Sequence, residues 1–197
     1  MAPAGVGGIV DPPQYLDPMT NMLANNPLAA SMQTVARIIA GRAQLGVTRQ
    51  IFYVQLGSFD THDGQATQHA RLLTQLGAAF QYFDAQMVNM GLGNNVTAFT
   101  ISDFGRTLTS NSDGTDHGWG SHHFVVGGAV QGQDMYGQYP VVGVNQANDL
   151  GAGRLIPTTA VEQYAARSPV GSDSQTARSA PSFPTSATSA PTPISAL

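Results

Sequence analysis

The sequence predicts an α/β fold with a parallel βαβ core. Residues 51–56 and 96–101 form two short runs that are mostly apolar and rich in β-branched and aromatic side chains, as is typical of strands buried on both faces. Between them, apolar residues recur at helical spacing from about Gln65 to Met90. Strands joined by a crossover helix run parallel in one sheet. We therefore expect both strands to end at the same edge of that sheet.

The chain before this unit divides into a lead-in and a helix. Residues 1–26 are rich in Pro, Gly and Asn and predict an irregular lead-in. Asn26-Pro27 is typical of a helix start, with Asn as the N-cap and Pro at the first helical position. The predicted helix ends near Gly46, and its apolar face consists of Leu28, Met32, Val35 and Ile39.

The long central helix has an equally clear face and end. Gly91 followed by Leu92 predicts a Schellman-type stop. A polar, Gly-rich loop over residues 110–121 then precedes a third short strand at 124–126, and a last short helix follows Pro157 through about residue 166. The apolar face of the long helix consists of Leu72, Leu76, Phe80, Phe83 and Met87.

Composition excludes several classes of function. Hydrophobic residues make up 42% of the chain and charged residues 10%, and the net charge is −4 with Arg as the only strongly basic residue type. Without a basic patch, no nucleic-acid partner is expected. The absence of Cys excludes disulfides, thiolate zinc sites and a thiol nucleophile.

The two ends of the chain differ in composition from its centre. The first residues lack the basic and apolar regions of a signal peptide, and no apolar run of about 18 residues predicts a transmembrane segment. From Arg167 onward Ser, Thr, Pro and Ala replace nearly all large apolar residues. Residues 167–197 therefore predict a disordered tail.

Candidate metal ligands follow both predicted strands. Asp60 and His62 come after the first strand and Asp103 after the second. In open α/β sheets, ligands bind beyond the carboxyl ends of the strands. An extended backbone would also direct Asp60 and His62 to the same side. The alternative is that the two aspartates only cap the turns or helices that follow them.

A further pair of candidate ligands, Asp116 and His117, lies between glycines that allow the backbone to approach a ligand closely. Carboxylates and imidazoles without thiolates suit Zn²⁺ or Mn²⁺. Arg106 could hold a substrate oxyanion in a bidentate grip, or it could simply pair with Asp103. The candidate metal ligands are thus Asp60, His62, Asp103, Asp116 and His117.

Several motifs follow one another in order along the chain. They are Phe59-Asp60-Thr61-His62, Ser102-Asp103-Phe104-Gly105-Arg106-Thr107, Asn111-x-x-Gly114-Thr115-Asp116-His117-Gly118, Val126-Gly127-Gly128, Tyr136-Gly137-x-Tyr139-Pro140 and Gly153-Arg154-Leu155-Ile156-Pro157. Together they resemble the DUF1501 family, bacterial proteins of largely unknown function, and the resemblance covers roughly residues 27–166. The family is similar to the alkaline phosphatase and sulfatase superfamily.

The resemblance implies a partial three-layer α/β/α sandwich of the alkaline-phosphatase type, with residues 27–166 as the C-terminal half of the domain. It also implies that Asp60, His62 and His117 hold one divalent ion. Asp103 matches the acid of an Asp-His pair at a second ion, but Phe104 stands where the His would be. One metal site is therefore expected rather than two.

The superfamily's nucleophile lies in a part of the domain that this resemblance does not cover, and Ser58 and Ser102 lie at other positions. No catalytic residue is assigned, and a separate N-terminal half is an expected partner. The resemblance implies hydrolysis of small-molecule or polymeric phosphate or sulfate esters, in an exported or periplasmic protein. The alternatives are a non-catalytic binding or structural protein, or a truncated gene fragment that retains part of the fold.

Overall fold

The computed structural model describes residues 8–167, which form a mixed α/β structure whose short strands pair antiparallel. The helices are α1 (Pro27–Ala40), α2 (Arg42–Leu45), α3 (Gln65–Asn89) and α4 (Val161–Arg167), and Gly93–Asn95 forms a 3-10 turn. The strands are β1 (Tyr15–Asp17), β2 (Met22–Ala24), β3 (Ala98–Phe99), β4 (Gly105–Ser110), β5 (Thr115–Gly118) and β6 (Val125–Val126).

These residues divide into two compact units. One comprises residues 8–130 and 139–158, and the other comprises 131–138 and 159–167. The second unit contains α4, which confirms the predicted last helix with a shift of a few residues. The predicted tail, beyond its first residue, lies outside the described residues. Among the helices of the described part of the chain, none combines the length and the apolar character that a membrane span requires.

Helix α1 begins as predicted. Asn26 Oδ1 accepts hydrogen bonds from the backbone nitrogens of Leu28 and Ala29 at 3.1 and 3.2 Å, which satisfies two donors at the helix start. Asn26 Nδ2 donates to the carbonyl oxygen of Gln75 in α3 at 2.7 Å, so the cap also joins two helices. The predicted apolar face is confirmed, because Leu28, Met32 and Ile39 are buried and Val35 packs against the core.

Helix α3 also begins and ends where the sequence predicts. At its end, Gly91 takes a left-handed conformation with φ of 71°. The backbone nitrogen of Leu92 donates to Met87 at 2.8 Å and that of Gly91 to Val88 at 2.9 Å, which is the Schellman pattern. The buried face of α3 packs on α1 to form the core, which includes Ala36, Ala79, Phe80, Phe83 and Met87.

The expectation of an irregular lead-in is wrong for residues 15–24, which form the β1–β2 hairpin. Tyr15 and Asp17 of β1 point inward and are 5% and 4% exposed. Gln75 Nε2 donates to Tyr15 Oη at 2.6 Å, and Arg71 pairs with Asp17 at 3.3 Å, so α3 holds the hairpin. Three-residue strands are too short to produce a readable alternation in the sequence.

The predicted parallel βαβ core is absent from the described residues. Residues 51–56 form neither a helix nor a strand, and their backbone makes no hydrogen bond with another described residue. Phe52, Val54 and Leu56 pack against the helical core, whereas Ile51 and Tyr53 are 68% and 77% exposed. The second predicted strand shrinks to β3, which pairs antiparallel with β6. In residues 51–56 every second side chain therefore packs against the core, but the predicted strand and its parallel pairing are wrong.

The predicted loop over residues 110–121 is instead part of a hairpin formed by β4 and β5. Gly105 pairs with Gly118, and Arg106 pairs with His117. The register shifts between Arg106 and Ser110, as at a β-bulge. Strand β5 consists of Thr, Asp, His and Gly and has no buried residue, so it lacks the apolar side chains that usually mark a strand in a sequence.

Candidate metal centre

The loop that carries Asp60 and His62 is anchored through the residue between them. Thr61 is 1% exposed, and its Oγ1 lies 3.0 Å from Nε2 of His69 on α3. The ring of His69 packs edge-on against Phe59 at a centroid distance of 5.8 Å. With Thr61 turned inward, both of its neighbours lie on the exposed side. The predicted extended backbone is wrong at this point, because the backbone nitrogen of Thr61 donates to the carbonyl oxygen of Phe59 at 3.0 Å, which closes a tight turn around Asp60.

Asp60, His62 and His117 come together in one exposed group. Nε2 of His117 lies 2.7 Å from Asp60 Oδ1, and Nε2 of His62 lies 2.9 Å from the same oxygen. One ligand atom from each residue lies within 4.8 Å of the others. Donation from the His117 ring is the main cause that lowers the pKa of Asp60, and Arg106 adds to it. The structure thus brings together a carboxylate and two imidazoles from segments that precede and follow α3 in the sequence.

Arg106 holds these segments together. Its Nη1 donates to Asp60 Oδ1 at 3.1 Å, its Nη2 to the carbonyl oxygens of Thr61 (2.7 Å) and Thr115, and its Nε to Thr115 Oγ1 at 3.0 Å. The side chain is only 13% exposed. The acidic partner of Arg106 is therefore Asp60 and not Asp103. With four donor contacts made to protein acceptors, the guanidinium serves to position Asp60.

Phe104 lies flat against one face of the His117 ring. The two rings are 4.2 Å apart and 5° from parallel, and the His62 ring lies 5.2 Å from His117 at 26°. Phe104 therefore limits rotation of the His117 ring while its Nε2 edge faces Asp60. Phe104 stands where the His of the Asp-His pair with Asp103 was expected. In the structure its ring instead contacts His117, a member of the three-residue group.

The other two predicted ligands lie outside the three-residue group. Asp116 Oδ1 is 3.3 Å from Nδ1 of His62 and accepts a hydrogen bond from Asn111 Nδ2 at 2.7 Å. Asp103 forms no ion pair or side-chain hydrogen bond with another described residue. Asn111 was not predicted as a site residue, and its place in the motif that contains Asp116 and His117 was the available signal.

Close backbone contact fixes the distance between the loop and the hairpin. A Cβ atom at Gly114, in the β4–β5 turn, would overlap the backbone carbonyl of His62. Next to it, the backbone nitrogen of Gln65 donates to the carbonyl oxygen of Asp113 at 3.1 Å. Glycine at position 114 is therefore required for the turn to reach His62.

The remaining histidines lie elsewhere. His69 Nε2 lies 3.0 Å from Thr61 Oγ1, and burial lowers its pKa. His122 stacks on Tyr139 with ring centroids 5.2 Å apart. His123 Nδ1 lies 3.3 Å from Thr100 Oγ1, and burial lowers its pKa. Within the part of the chain that the structure describes, Asp60, His62 and His117 form the group that could hold an ion.

Residues 15–179 match a family described as "Protein of unknown function (DUF1501)". Neither a curated protein nor a solved structure matches the chain.

Proposed function

We propose that this chain, which belongs to the DUF1501 family, binds a divalent metal ion through Asp60, His62 and His117. The observation that carries the proposal is the convergence of both imidazole Nε2 atoms on one carboxylate oxygen, at 2.9 and 2.7 Å. All three side chains are about half exposed, so an ion can reach them from solvent. The ion would replace the protons that these contacts now share.

The donor set favours Zn²⁺ or Mn²⁺. One carboxylate and two imidazoles form the three-ligand set of many catalytic zinc sites, which keep a further position open for water or substrate. We propose one metal site rather than two, because Asp103 lies outside the group and Phe104 offers no ligand atom. The identity of the ion follows here from donor chemistry alone.

The reaction class that we propose is hydrolysis of phosphate or sulfate esters, as in the alkaline phosphatase and sulfatase superfamily. A bound ion would supply charge to polarise the ester oxygen or lower the pKa of a bound water. The side chain of Arg106 would keep Asp60 in place rather than bind substrate, because its donors contact Asp60, Thr61 and Thr115. We assign no nucleophile to the chain.

The same resemblance supports the layered fold of that superfamily as part of the proposal. Helices α1 and α3 form one layer, and apolar side chains of the extended segments pack on it. These side chains are Phe52, Val54, Leu56, Val96, Ala98 and Val126. A helical layer against a layer of extended backbone is the expected beginning of an α/β sandwich.

A second candidate function is metal or ligand binding without catalysis. Two observations favour it: Phe104 stands in place of a metal ligand, and Arg106 is already engaged by protein acceptors. The hydrolytic function requires turnover of an ester and the binding function does not, whereas both functions include the same bound ion.

Metal content and turnover test the proposal together. The chain is stripped with chelator, loaded with Zn²⁺ or Mn²⁺, freed of excess ion by gel filtration, and assayed with an aryl phosphate and an aryl sulfate. We expect close to one ion per chain and its loss in His62→Ala and His117→Ala. His122→Ala, which removes an imidazole outside the site, is the matched control. Absence of metal in the wild type would refute the site, and metal without turnover would favour the binding function.

A further inference from the structure

We propose that Asp116 is a positioning residue that orients His62 toward the ion and is not itself a metal ligand. This inference rests on the proposed metal site. It concerns the contact that His62 makes on the side away from the ion, and it gives Asp116, which the sequence placed among the ligands, a different role. The starting observation is that the two nitrogens of the His62 ring each lie within ion-pair distance of a different carboxylate.

The geometry separates the roles of the two nitrogens. Nε2 of His62 lies 2.9 Å from Asp60 Oδ1, inside the three-residue group, and Nδ1 lies 3.3 Å from Asp116 Oδ1, outside it. A hydrogen bond from Nδ1–H to a carboxylate fixes the tautomer that leaves the Nε2 lone pair for a metal. Carboxylate, imidazole and metal in series are a recurrent arrangement in which the carboxylate orients the ring.

Two contacts hold Asp116 in this position. Asn111 Nδ2 donates to Asp116 Oδ1 at 2.7 Å, and the backbone nitrogen of Asp116 donates to Thr107 Oγ1 at 3.1 Å. Moving the carboxylate onto the ion would break the contact with Asn111. The backbone is fixed by the β4–β5 pairing, in which the neighbouring His117 faces Arg106.

Asn111 lies close both to Asp116 and to Nδ1 of His62. Its Nδ2 lies 3.4 Å from Nδ1, a longer contact than the 2.7 Å to Asp116 Oδ1. If the amide donated to Nδ1, the ring proton would stay on Nε2 and block metal binding. With an ion at Nε2 the ring proton would lie on Nδ1, where the Asp116 carboxylate can accept it and the Asn111 amide nitrogen, which only donates, cannot. Asn111 therefore supports the orientation through Asp116.

Cobalt binding separates positioning from ligation, because the visible bands of Co²⁺ report the number and type of its ligands. Wild type, Asp116→Asn and Asn111→Ala are titrated with Co²⁺, and Zn²⁺ affinity is measured by competition. We expect Asp116→Asn to weaken binding by roughly 10- to 100-fold, with the cobalt bands unchanged at saturation. Asn111→Ala, which leaves the carboxylate in place, should weaken binding in the same direction by a smaller factor. Asp84→Asn, on α3, removes the same charge outside the site and should bind as wild type does.

The other outcomes are distinct. A changed cobalt spectrum in Asp116→Asn would make Asp116 a ligand, and unchanged affinity would show that it does not act on His62; either result overturns the inference while the metal site stands. Failure of wild type to bind cobalt or zinc would overturn the site and the inference together. If Asp116→Asn does not fold, as judged by far-ultraviolet circular dichroism, Asn111→Ala decides: weaker binding with the same bands supports the inference, and wild-type affinity refutes it.

Discussion

Arg106 and His117 face each other across the β4–β5 hairpin, and both contact the same oxygen of Asp60, at 3.1 Å from Nη1 and 2.7 Å from Nε2. The strand register thus sets the position of Arg106, which clamps the loop to the hairpin, relative to the candidate ligand His117. Because the same guanidinium donates to the backbone of Thr61 and Thr115, it joins the loop to the hairpin whether or not an ion is present.

Replacing Arg106 should therefore destabilise the metal-free protein. Arg106→Met keeps much of the side-chain volume but leaves the Thr61 and Thr115 carbonyl oxygens without their donor, at a cost of about 3 kcal/mol in the free energy of unfolding. Arg106→Lys should recover only part of this, because one ammonium group cannot replace donors spread over a planar fork. Urea unfolding in the presence of chelator measures both. Equal stability of the Lys variant and wild type would contradict the clamp.

The cap of α1 gives a second test. Asn26→Ala removes the acceptor for Leu28 and Ala29 and the donor to Gln75, so we expect a loss of about 2 kcal/mol. Asn26→Ser retains a capping oxygen but not the contact with α3, and its stability should lie between wild type and the Ala variant. Thermal and urea unfolding report the order. A Ser variant as unstable as the Ala variant would assign the whole effect to the helix–helix contact.

Gly114 and Gly77 form a matched pair. An added Cβ at position 114 would overlap the His62 carbonyl, whereas at position 77, inside α3, it would meet no atom within 4 Å. We expect Gly114→Ala to destabilise the protein by about 2 kcal/mol or more and to weaken metal binding. Gly77→Ala should stabilise it by about 0.5–1 kcal/mol, because Ala favours helix. If both substitutions changed the free energy of unfolding in the same direction, the close approach of Gly114 to His62 would be refuted.

His69 should make stability depend on pH. Burial of its ring, with a smaller effect of the Arg106 charge, lowers its pKa below 6.5 in the folded state. The unfolded chain then binds the proton more readily, so the free energy of unfolding falls as pH decreases from 6.5 toward the folded-state pKa. His69→Gln should lose less stability than wild type between pH 7.5 and 5.5. His123 contributes to both proteins, so the difference isolates His69; parallel pH profiles would count against it.

Hydrogen exchange should distinguish residues 51–56 from the helices on either side. Their side chains contribute to the core, but their backbone amides have no hydrogen-bond partner among the described residues. We expect their amides to exchange close to the rate of an unstructured chain, while the buried face of α3 is strongly protected. Exchange followed by mass spectrometry or NMR resolves the two segments. Strong protection at Tyr53 and Val54 would show that this backbone is paired.

Helix boundaries could be predicted from the sequence because their determinants are local. Asn26 followed by Pro27, and Gly91 followed by Leu92, act within a few residues of the helix ends that they set. The pairing of residues 51–56 could not be predicted in this way. An apolar run records that a segment is extended and partly buried, but the neighbour that pairs with it lies far away in the sequence.

The sequence predicted which residues form the candidate site better than it predicted which elements bring them together. Asp60, His62 and His117 were expected to hold one ion together, and the structure places one ligand atom of each within 4.8 Å of the others. The expected route, in which two parallel strands bring Asp60, His62 and Asp103 to one edge, is wrong, because the described strands pair antiparallel and Asp103 lies outside the group. The β4–β5 hairpin supplies His117. The role of Asp116 could not be read from the sequence, since it depends on which nitrogen of His62 the carboxylate faces.

The positions of the three candidate ligands along the chain have a mechanical consequence. Asp60 and His117 are 57 positions apart, with all of α3 between them. An ion held by both would act as a reversible cross-link that closes this loop in the folded chain. If the ion stayed bound during unfolding, a loop of this length would remove chain entropy worth about 4 kcal/mol, by the model used for disulfides. In a chain without cysteine, coordination would then do for the tertiary structure what covalent sulfur chemistry does in other proteins.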